Sequence, residues 1–169
     1  MSDFLKEVRQ IWFDLYSRHG RNDSSGFEHV FVGETSDNDV IGFHNWIQLY
    51  NEERKNKFNY KGFIKTPRKN KDSNASIPTS KAQLINIGFE WMGKQKKISS
   101  SFIGVSPEFE MALYTLVFKM HENEKKVELA LQLSFYAVDI TCFSWNQGPL
   151  TFIATAFPVI PQLSKDEAA

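Results

Sequence analysis

From Val127 onward, apolar side chains recur at every second position: Leu129, Leu131, Leu133 and Phe135, then Val138, Ile140 and Cys142, and finally the run Thr151 to Phe157. A period of two sets one face of an extended chain against a core and the other toward water, so this stretch reads as antiparallel strand. The opening of the chain has a different period. Phe4, Val8, Ile11, Trp12 and Leu15 recur at three and four, which predicts an amphipathic helix over about 3–19 with Gly20 ending it. A second helix is signalled by Ser106 as N-cap, Pro107 at the first helical position and Glu108 and Glu110 as first-turn acids. Phe109, Ala112, Leu113, Leu116, Val117 and Met120 form its stripe. Helices early and strands late, with no regular strand–helix–strand alternation, predict an α+β fold with antiparallel sheets packed against a few helices.

Between these segments the signals are shorter. Phe27 to Thr35 is rich in Val and Phe, Ser36 to Asp39 is a polar turn, and Val40 to Phe43 is apolar again, which reads as a β-hairpin. Asn45 is placed to cap a short helix carrying Trp46, Leu49 and Tyr50. Residues 66–80 have loop composition. Gln83–Trp91 and Ile98–Val105 read as strands around the turn Met92 to Gln95. The aromatics read mostly as core, with Trp46, Trp91 and Phe157 as the exceptions.

At 169 residues, 41% of them hydrophobic and 15 of them Phe, the chain has the apolar mass for one domain, expected over 1–169 with its core at about 22–160. No apolar run reaches the roughly 18 residues that cross a bilayer, and the start lacks a signal-peptide pattern, so no membrane partner is expected. The single cysteine, Cys142, forms no internal disulfide and fits a reducing compartment. The expectation is a cytoplasmic protein, or a secreted one if the chain is a fragment of a longer precursor.

A net charge of zero conceals a strong asymmetry. Residues 1–53 carry 4 Lys/Arg and 10 Asp/Glu, residues 54–97 carry 12 and 2, and residues 98–169 carry 4 and 8. The middle block, with balance +10, is either the footprint of a polyanion or a solvated lysine-rich loop.

Two of the four histidines, His29 and His44, fall on the expected hairpin. Directly opposed residues of a hairpin share a constant index sum, and 29 + 44 = 73 matches a turn centred between Ser36 and Asp37. The two imidazoles would then be cross-strand neighbours on one face, able to take a proton from one oxygen and give one to another. The alternative is two half-buried strand histidines, each bonded to a neighbour. A zinc site would need further ligands, for which only Glu28 and Glu34 are near; Glu28 alternates away from His29, while a bulge at Gly33 would bring Glu34 back. His19 and His121 read as helix-end residues without a catalytic role.

Four blocks carry a resemblance. SSGFEHVFVGE (24–34), GFHNW (42–46), FIGVSPEFEMALY (102–114) and IATAFP (153–158) together resemble the EndoU family, in the family's order and over most of the chain. That family comprises uridylate-preferring endoribonucleases, the coronavirus endoribonuclease among them, which cleave single-stranded RNA to 2′,3′-cyclic phosphate and 5′-hydroxyl ends. Relatives usually carry a further helical region before the first histidine block.

What the resemblance implies for this chain is specific. His29 and His44 fall on the two histidines of the family motifs, and the segment Trp91 to Lys96 places the catalytic lysine at Lys96. Without the pattern, Lys94 and Lys97 would be equal candidates. Ser100 matches the position that reads uracil, and Thr155 lies in the last matching block. Phe157 stands where many relatives have a tyrosine that packs on base or sugar, so the aromatic face remains and the hydroxyl is lost.

The expected partner is therefore single-stranded RNA containing uridine. No cofactor is required for the chemistry, with Mn2+ or Ca2+ as an activator for which Glu28 and Glu34 are the candidate carboxylates; their alternative roles are to orient the histidines or simply to sit at the surface. Two other functions compete: an EndoU-like RNA-binding module without turnover, and a metal-dependent hydrolase built on His29, His44 and a carboxylate.

Overall fold

The computed structural model describes residues 2–63, 83–121, 124–133 and 136–159. The loop expected over 66–80, Phe135 of the alternating run, and Lys65, Arg68, Lys69 and Lys71 of the basic block lie outside them. In chain order the elements are α1 (Asp3–Phe13), a one-turn π-helix (Glu28–Val32), β1 (Glu34–Thr35), β2 (Val40–Ile41), α2 (Trp46–Arg54), β3 (Phe58–Phe63), β4 (Gln83–Trp91) and β5 (Lys94–Ile103). They are followed by α3 (Pro107–Met120), β6 (Lys126–Leu133), β7 (Tyr136–Gln147) and β8 (Leu150–Val159). All strand pairs are antiparallel, in sheets ordered β1-β2, β3-β4-β5 and β6-β7-β8, so the α+β expectation holds.

Two apolar cores form among the described residues. The larger joins Ile11 and Trp12 of α1, Val30 and Phe31 of the π-helix, and Tyr114, Val117 and Phe118 of α3. Opposite them stand Val127, Val138, Ile140, Cys142, Ile153 and Ala156 of the last sheet. The smaller gathers Val40, Phe43, Leu49, Ile87, Phe89 and Trp91 under the β3-β4-β5 sheet. Cys142 is free and buried, and burial pushes its thiol up to about 12, which leaves it inert at neutral pH. Among the described residues no helix is long and apolar enough to cross a membrane.

Several sequence expectations are corrected. The first helix stops at Phe13, well short of His19, because the next residues satisfy their backbone elsewhere. Tyr16 and Ser24 pair across the loop (2.9 and 3.2 Å), and the Asp23 carboxylate accepts the N–H groups of Arg18, His19 and Gly20 at 2.7–3.0 Å. His19 is therefore a loop residue, whereas His121 does close α3.

The Val/Phe run at 27–32 is a turn of helix, not a strand. Its buried residues Val30 and Phe31, with Phe27 packed against them, stand at helical spacing. Ser25 accepts the Glu28 N–H (3.2 Å) and donates to the Glu28 carboxylate (3.1 Å), a capping arrangement written in the sequence as Ser-x-x-Glu. The hairpin that remains is short and in another register, pairing Glu34 with Ile41 and Thr35 with Val40. Strand β3 had no sequence signal beyond its aromatics, and β5 begins at Lys94 rather than Ile98.

Trp91 is core, its indole N–H donating to Glu52 at 2.9 Å, and the Trp46 indole is tied to the Val105 carbonyl at 2.7 Å. The basic block is partly neutralised, since Lys55 pairs with Glu52 (2.7 Å) and Lys61 with Glu90 (3.0 Å).

Candidate active site

The π-helix and the segment before α2 run side by side: the Phe43 N–H donates to the His29 carbonyl (2.9 Å) and the His44 N–H to the Val30 carbonyl (2.8 Å). The two histidines are thus brought together by local backbone pairing, as proposed from the sequence, but through a helical turn rather than a hairpin. The close approach requires Gly42, whose φ is +63° and where a Cβ would stand 1.9 Å from the His29 carbonyl oxygen. Phe43 follows in the same left-handed region at φ +66°.

His29 is buried, and its Nδ1 lies 2.8 Å from Glu34 Oε2. Gly33, the C-cap of the π-helix at φ +90°, turns the chain so that Glu34 returns toward His29, by a helix end rather than the strand bulge expected from the sequence. The Glu34 carboxylate also faces Arg18 Nε at 3.9 Å. Burial pulls the His29 imidazole below its ordinary value, while the Glu34 hydrogen bond and charge oppose that fall. The same contact, with Ser24 and Arg18, holds the Glu34 carboxyl below its usual range against the opposing effect of burial.

His44 is held differently. Its Nδ1 is 2.9 Å from the Ser100 carbonyl oxygen and 3.3 Å from Ser99 Oγ. A carbonyl only accepts, so Nδ1 carries the proton and Nε2 keeps its lone pair. Burial and the nearby Lys96 charge push this imidazole down to about 3, so it is neutral across the physiological range. One face of the ring stacks on Phe157.

Lys96, Ile98 and Ser100 of β5 line the same cleft, the β4–β5 register shifting between Lys96 and Ser99. Burial lowers the Lys96 ammonium to about 8, with Asp39 opposing the fall. The cleft, of about 530 Å³, is completed by Gly42, His29, His44, Trp145 of β7, Thr155 and Phe157 of β8, and Arg18. The Thr155 hydroxyl is buried with no hydrogen-bond partner among the described residues.

Of the residues singled out in the sequence, His29, His44, Lys96, Ser100, Thr155 and Phe157 converge on this cleft, and Glu34 reaches His29 from behind. Glu28 does not: it is exposed and bonded to Ser25. Among the described residues no group of three or more His, Cys, Asp or Glu side chains is placed to hold a metal ion. Sequence reading missed Arg18 and Trp145. Arg18 hydrogen-bonds Tyr16 Oη, Ser24 Oγ and the Ala154 carbonyl, and its guanidinium lies over the Trp145 ring at 5.8 Å. Arg18 fell at the end of the expected first helix, off its apolar stripe, and gave no signal of its own, while Trp145 read as one more strand aromatic.

Paired imidazoles of different support stand beside a partly buried ammonium between two antiparallel sheets, an arrangement chemically able to exchange protons with an anionic ligand. Residues 1–158 match the family model of Endoribonuclease XendoU, and the chain belongs to that family. It is 43% identical over 159 residues to a uridylate-specific endoribonuclease B of Danio rerio, covering 92% of this chain and 52% of that protein. It is 42% identical over 162 residues to a poly(U)-specific endoribonuclease-A of Xenopus laevis, covering 94% and 52%. The solved structure of XendoU, a splicing-independent snoRNA-processing endoribonuclease, superposes with a TM-score of 0.73 at 41% identity, over 95% of this chain and 56% of that one. The endoribonuclease Nsp15 of Middle East Respiratory Syndrome Coronavirus shares the fold, with a TM-score of 0.53 at 16% identity, over 79% and 33% of the two chains. The chain spans about half the length of the curated relatives it matches.

Proposed function

We propose that this chain is an endoribonuclease that cleaves single-stranded RNA at uridines by transesterification, leaving 2′,3′-cyclic phosphate and 5′-hydroxyl ends. The observation that carries the reading is the unequal support of the two imidazoles in one cleft with Lys96: a carboxylate behind His29 and a backbone carbonyl behind His44.

RNA brings its own nucleophile, the 2′-hydroxyl. His44, neutral with a free Nε2, takes the proton of that hydroxyl as its oxygen attacks phosphorus. His29, whose Glu34 partner favours the imidazolium, gives a proton to the departing 5′-oxygen. The Lys96 ammonium stands against the charge that builds on the phosphorane. A bound phosphodiester is anionic and raises both imidazole pKa values toward the working range. Ser100 and the Thr155 hydroxyl, unpartnered among the described residues, offer polar atoms to the base, and Phe157 an aromatic edge. No cofactor takes part in these steps; manganese or calcium would act as an activator.

The test is a short oligonucleotide with one uridine. Cleavage in EDTA that yields a cyclic phosphate, and is lost when that uridine lacks its 2′-hydroxyl, supports the proposal. Binding without cleavage, or metal-dependent cleavage leaving a 5′-phosphate, overturns it. His29→Ala and His44→Ala should each lower kcat by about 10²- to 10⁴-fold.

A further inference from the structure

We infer that Glu110, on α3, is a positioning residue for His44 and acts through the side chain of Asn45. The inference rests on the proposed ribonuclease reaction and adds a residue to it that never touches RNA.

As a first-turn acid of α3, Glu110 would be expected at the surface near the helix N-terminus, as Glu108 is. Instead it is fully buried in the larger core region, with 0% of its surface exposed. A carboxyl in that position is costly unless its oxygens are bonded, and both are. Asn45 Nδ2 donates to Oε2 at 2.8 Å, and the Tyr114 hydroxyl donates to Oε1 at 3.3 Å. Burial outweighs these two bonds and raises the carboxyl to about 7.

Asn45 is the residue directly after His44, and its side chain is used at both ends. While Nδ2 reaches Glu110, Oδ1 accepts the N–H groups of Ile47 and Gln48 (3.1 and 3.2 Å) and so caps α2. Its backbone also bridges to Phe102 of β5. One residue therefore ties α2 and α3 through its amide, and β5 through its backbone, around the peptide that carries the imidazole.

That peptide needs holding. It follows two consecutive residues in the left-handed region, Gly42 at φ +63° and Phe43 at φ +66°. A phenylalanine in that conformation persists only where the surroundings over-determine it. On the near side the chain is tied to the π-helix through the Val30 carbonyl. On the far side the ties include Ser99 Oγ to the Phe43 carbonyl (2.7 Å), Ser101 Oγ to the His44 carbonyl, the Asn45–Phe102 bridge and the Asn45–Glu110 bond. Releasing the Glu110 tie lets the turn relax and moves the His44 ring relative to the Ser100 carbonyl, whose hydrogen bond fixes which nitrogen is free.

The variant that isolates this tie is Asn45→Ser. Serine still caps α2 but is too short to reach Glu110. Its partner is Glu110→Gln, in which the amide oxygen still accepts from Asn45 while the amide N–H donates to Tyr114 Oη. Both are assayed on the uridine oligonucleotide beside the parent protein and His44→Ala, with the His44 ring nitrogens followed by ¹H–¹⁵N NMR. For Asn45→Ser the expected result is a fall in kcat of about 10- to 100-fold with KM within about threefold, and a shifted His44 nitrogen resonance. Glu110→Gln should stay within about threefold of the parent in kcat, with the resonance in place. Parental kcat and an unmoved His44 resonance in Asn45→Ser overturn the inference, as does a Glu110→Gln variant as impaired as Asn45→Ser. Loss of structure in either variant shows in the NMR spectrum itself, and Glu110→Asp, which draws the carboxylate back from Asn45, then serves as the second probe with the same expected fall. Failure of the ribonuclease reading looks different: the parent and His44→Ala would then be equally inactive or equally active.

Discussion

The His44 and Phe157 rings stack with centroids 4.7 Å apart and planes inclined by 17°. One face of Phe157 is thus taken by the protein's own imidazole, so the ring that sequence comparison assigned to base or sugar packing also steadies His44. An aromatic pair of this kind contributes about 0.5–1.5 kcal/mol beyond its buried area. Phe157→Leu should therefore lower kcat by about 2- to 10-fold, while Phe157→Tyr, which keeps the stacked face, retains parental kcat. Initial rates on the uridine oligonucleotide check both.

Lys96 is expected to trade stability for activity. Held at about 8 against an ordinary 10.5, it binds its proton less tightly folded than unfolded, so the fold bears a cost on the order of 3 kcal/mol below pH 8. That cost is relieved as pH rises from about 8 to 10.5, where the unfolded chain still holds the proton and the folded one does not. Lys96→Met should unfold at higher denaturant concentration than the parent at pH 7, lose most of that advantage by pH 10.5, and have no measurable cleavage. Urea unfolding at the two pH values reads the stability difference.

How much of this was legible in the sequence depended on whether a signal was local. Ser106-Pro107 and the helical spacing from Phe109 to Met120 gave the span of α3 almost to the residue, because the cap is written in adjacent positions, but not its buried face: Phe109, Leu116 and Met120 are exposed, while Glu110, Tyr114, Thr115, Val117 and Phe118 face inward. Asn45 gave α2 for the same reason. The Phe27–Val32 stretch misled because Val and Phe are both strand formers and core fillers; burial demand chose the helical turn, and only the Ser25-x-x-Glu28 cap announced it. The α1 terminus was misread because Asp23, not Gly20, decides where the backbone of 18–20 finds its partners. In the cleft, the positions fixed by motif were legible, including Lys96 and Ser100, which both line it although the β4–β5 register shifts between them. Arg18 and Glu110 were not, since each earns its place through contacts with residues distant in the chain.

Glu34→Gln tests the support behind His29. The neutral amide still accepts from Nδ1, but the charge that opposes burial is gone, so the His29 pKa should fall further below its ordinary value. Because the proposed acid must hold its proton, the rate declines as pH rises through that pKa, and the high-pH limb of kcat should move to lower pH. Titration of the His29 ring proton by NMR reads the shift directly; an unchanged or higher pKa would show that Glu34 does not supply the imidazolium with its counter-charge.

Two glycines with similar backbones separate the demand of the site from the demand of a turn. Gly42 and Gly93 have φ of +63° and +74°, so alanine at either adopts the left-handed region at a cost of about 1–2 kcal/mol. At Gly93, in the β4–β5 turn, an added Cβ meets nothing within 4 Å, whereas at Gly42 it stands 1.9 Å from the His29 carbonyl oxygen. Backbone cannot yield as a flexible side chain does, so Gly42→Ala must push the two histidine segments apart and break the Phe43-to-His29 hydrogen bond. Gly93→Ala is expected to lose about 1–2 kcal/mol in urea unfolding and to cleave RNA at the parental rate. Gly42→Ala should lose more than that and fall by at least 100-fold in kcat even where it remains folded, since displacement of about 1 Å at a catalytic group is enough for that loss. Equal behaviour of the two alanines would show that the close approach at Gly42 is not what sets the histidine pair.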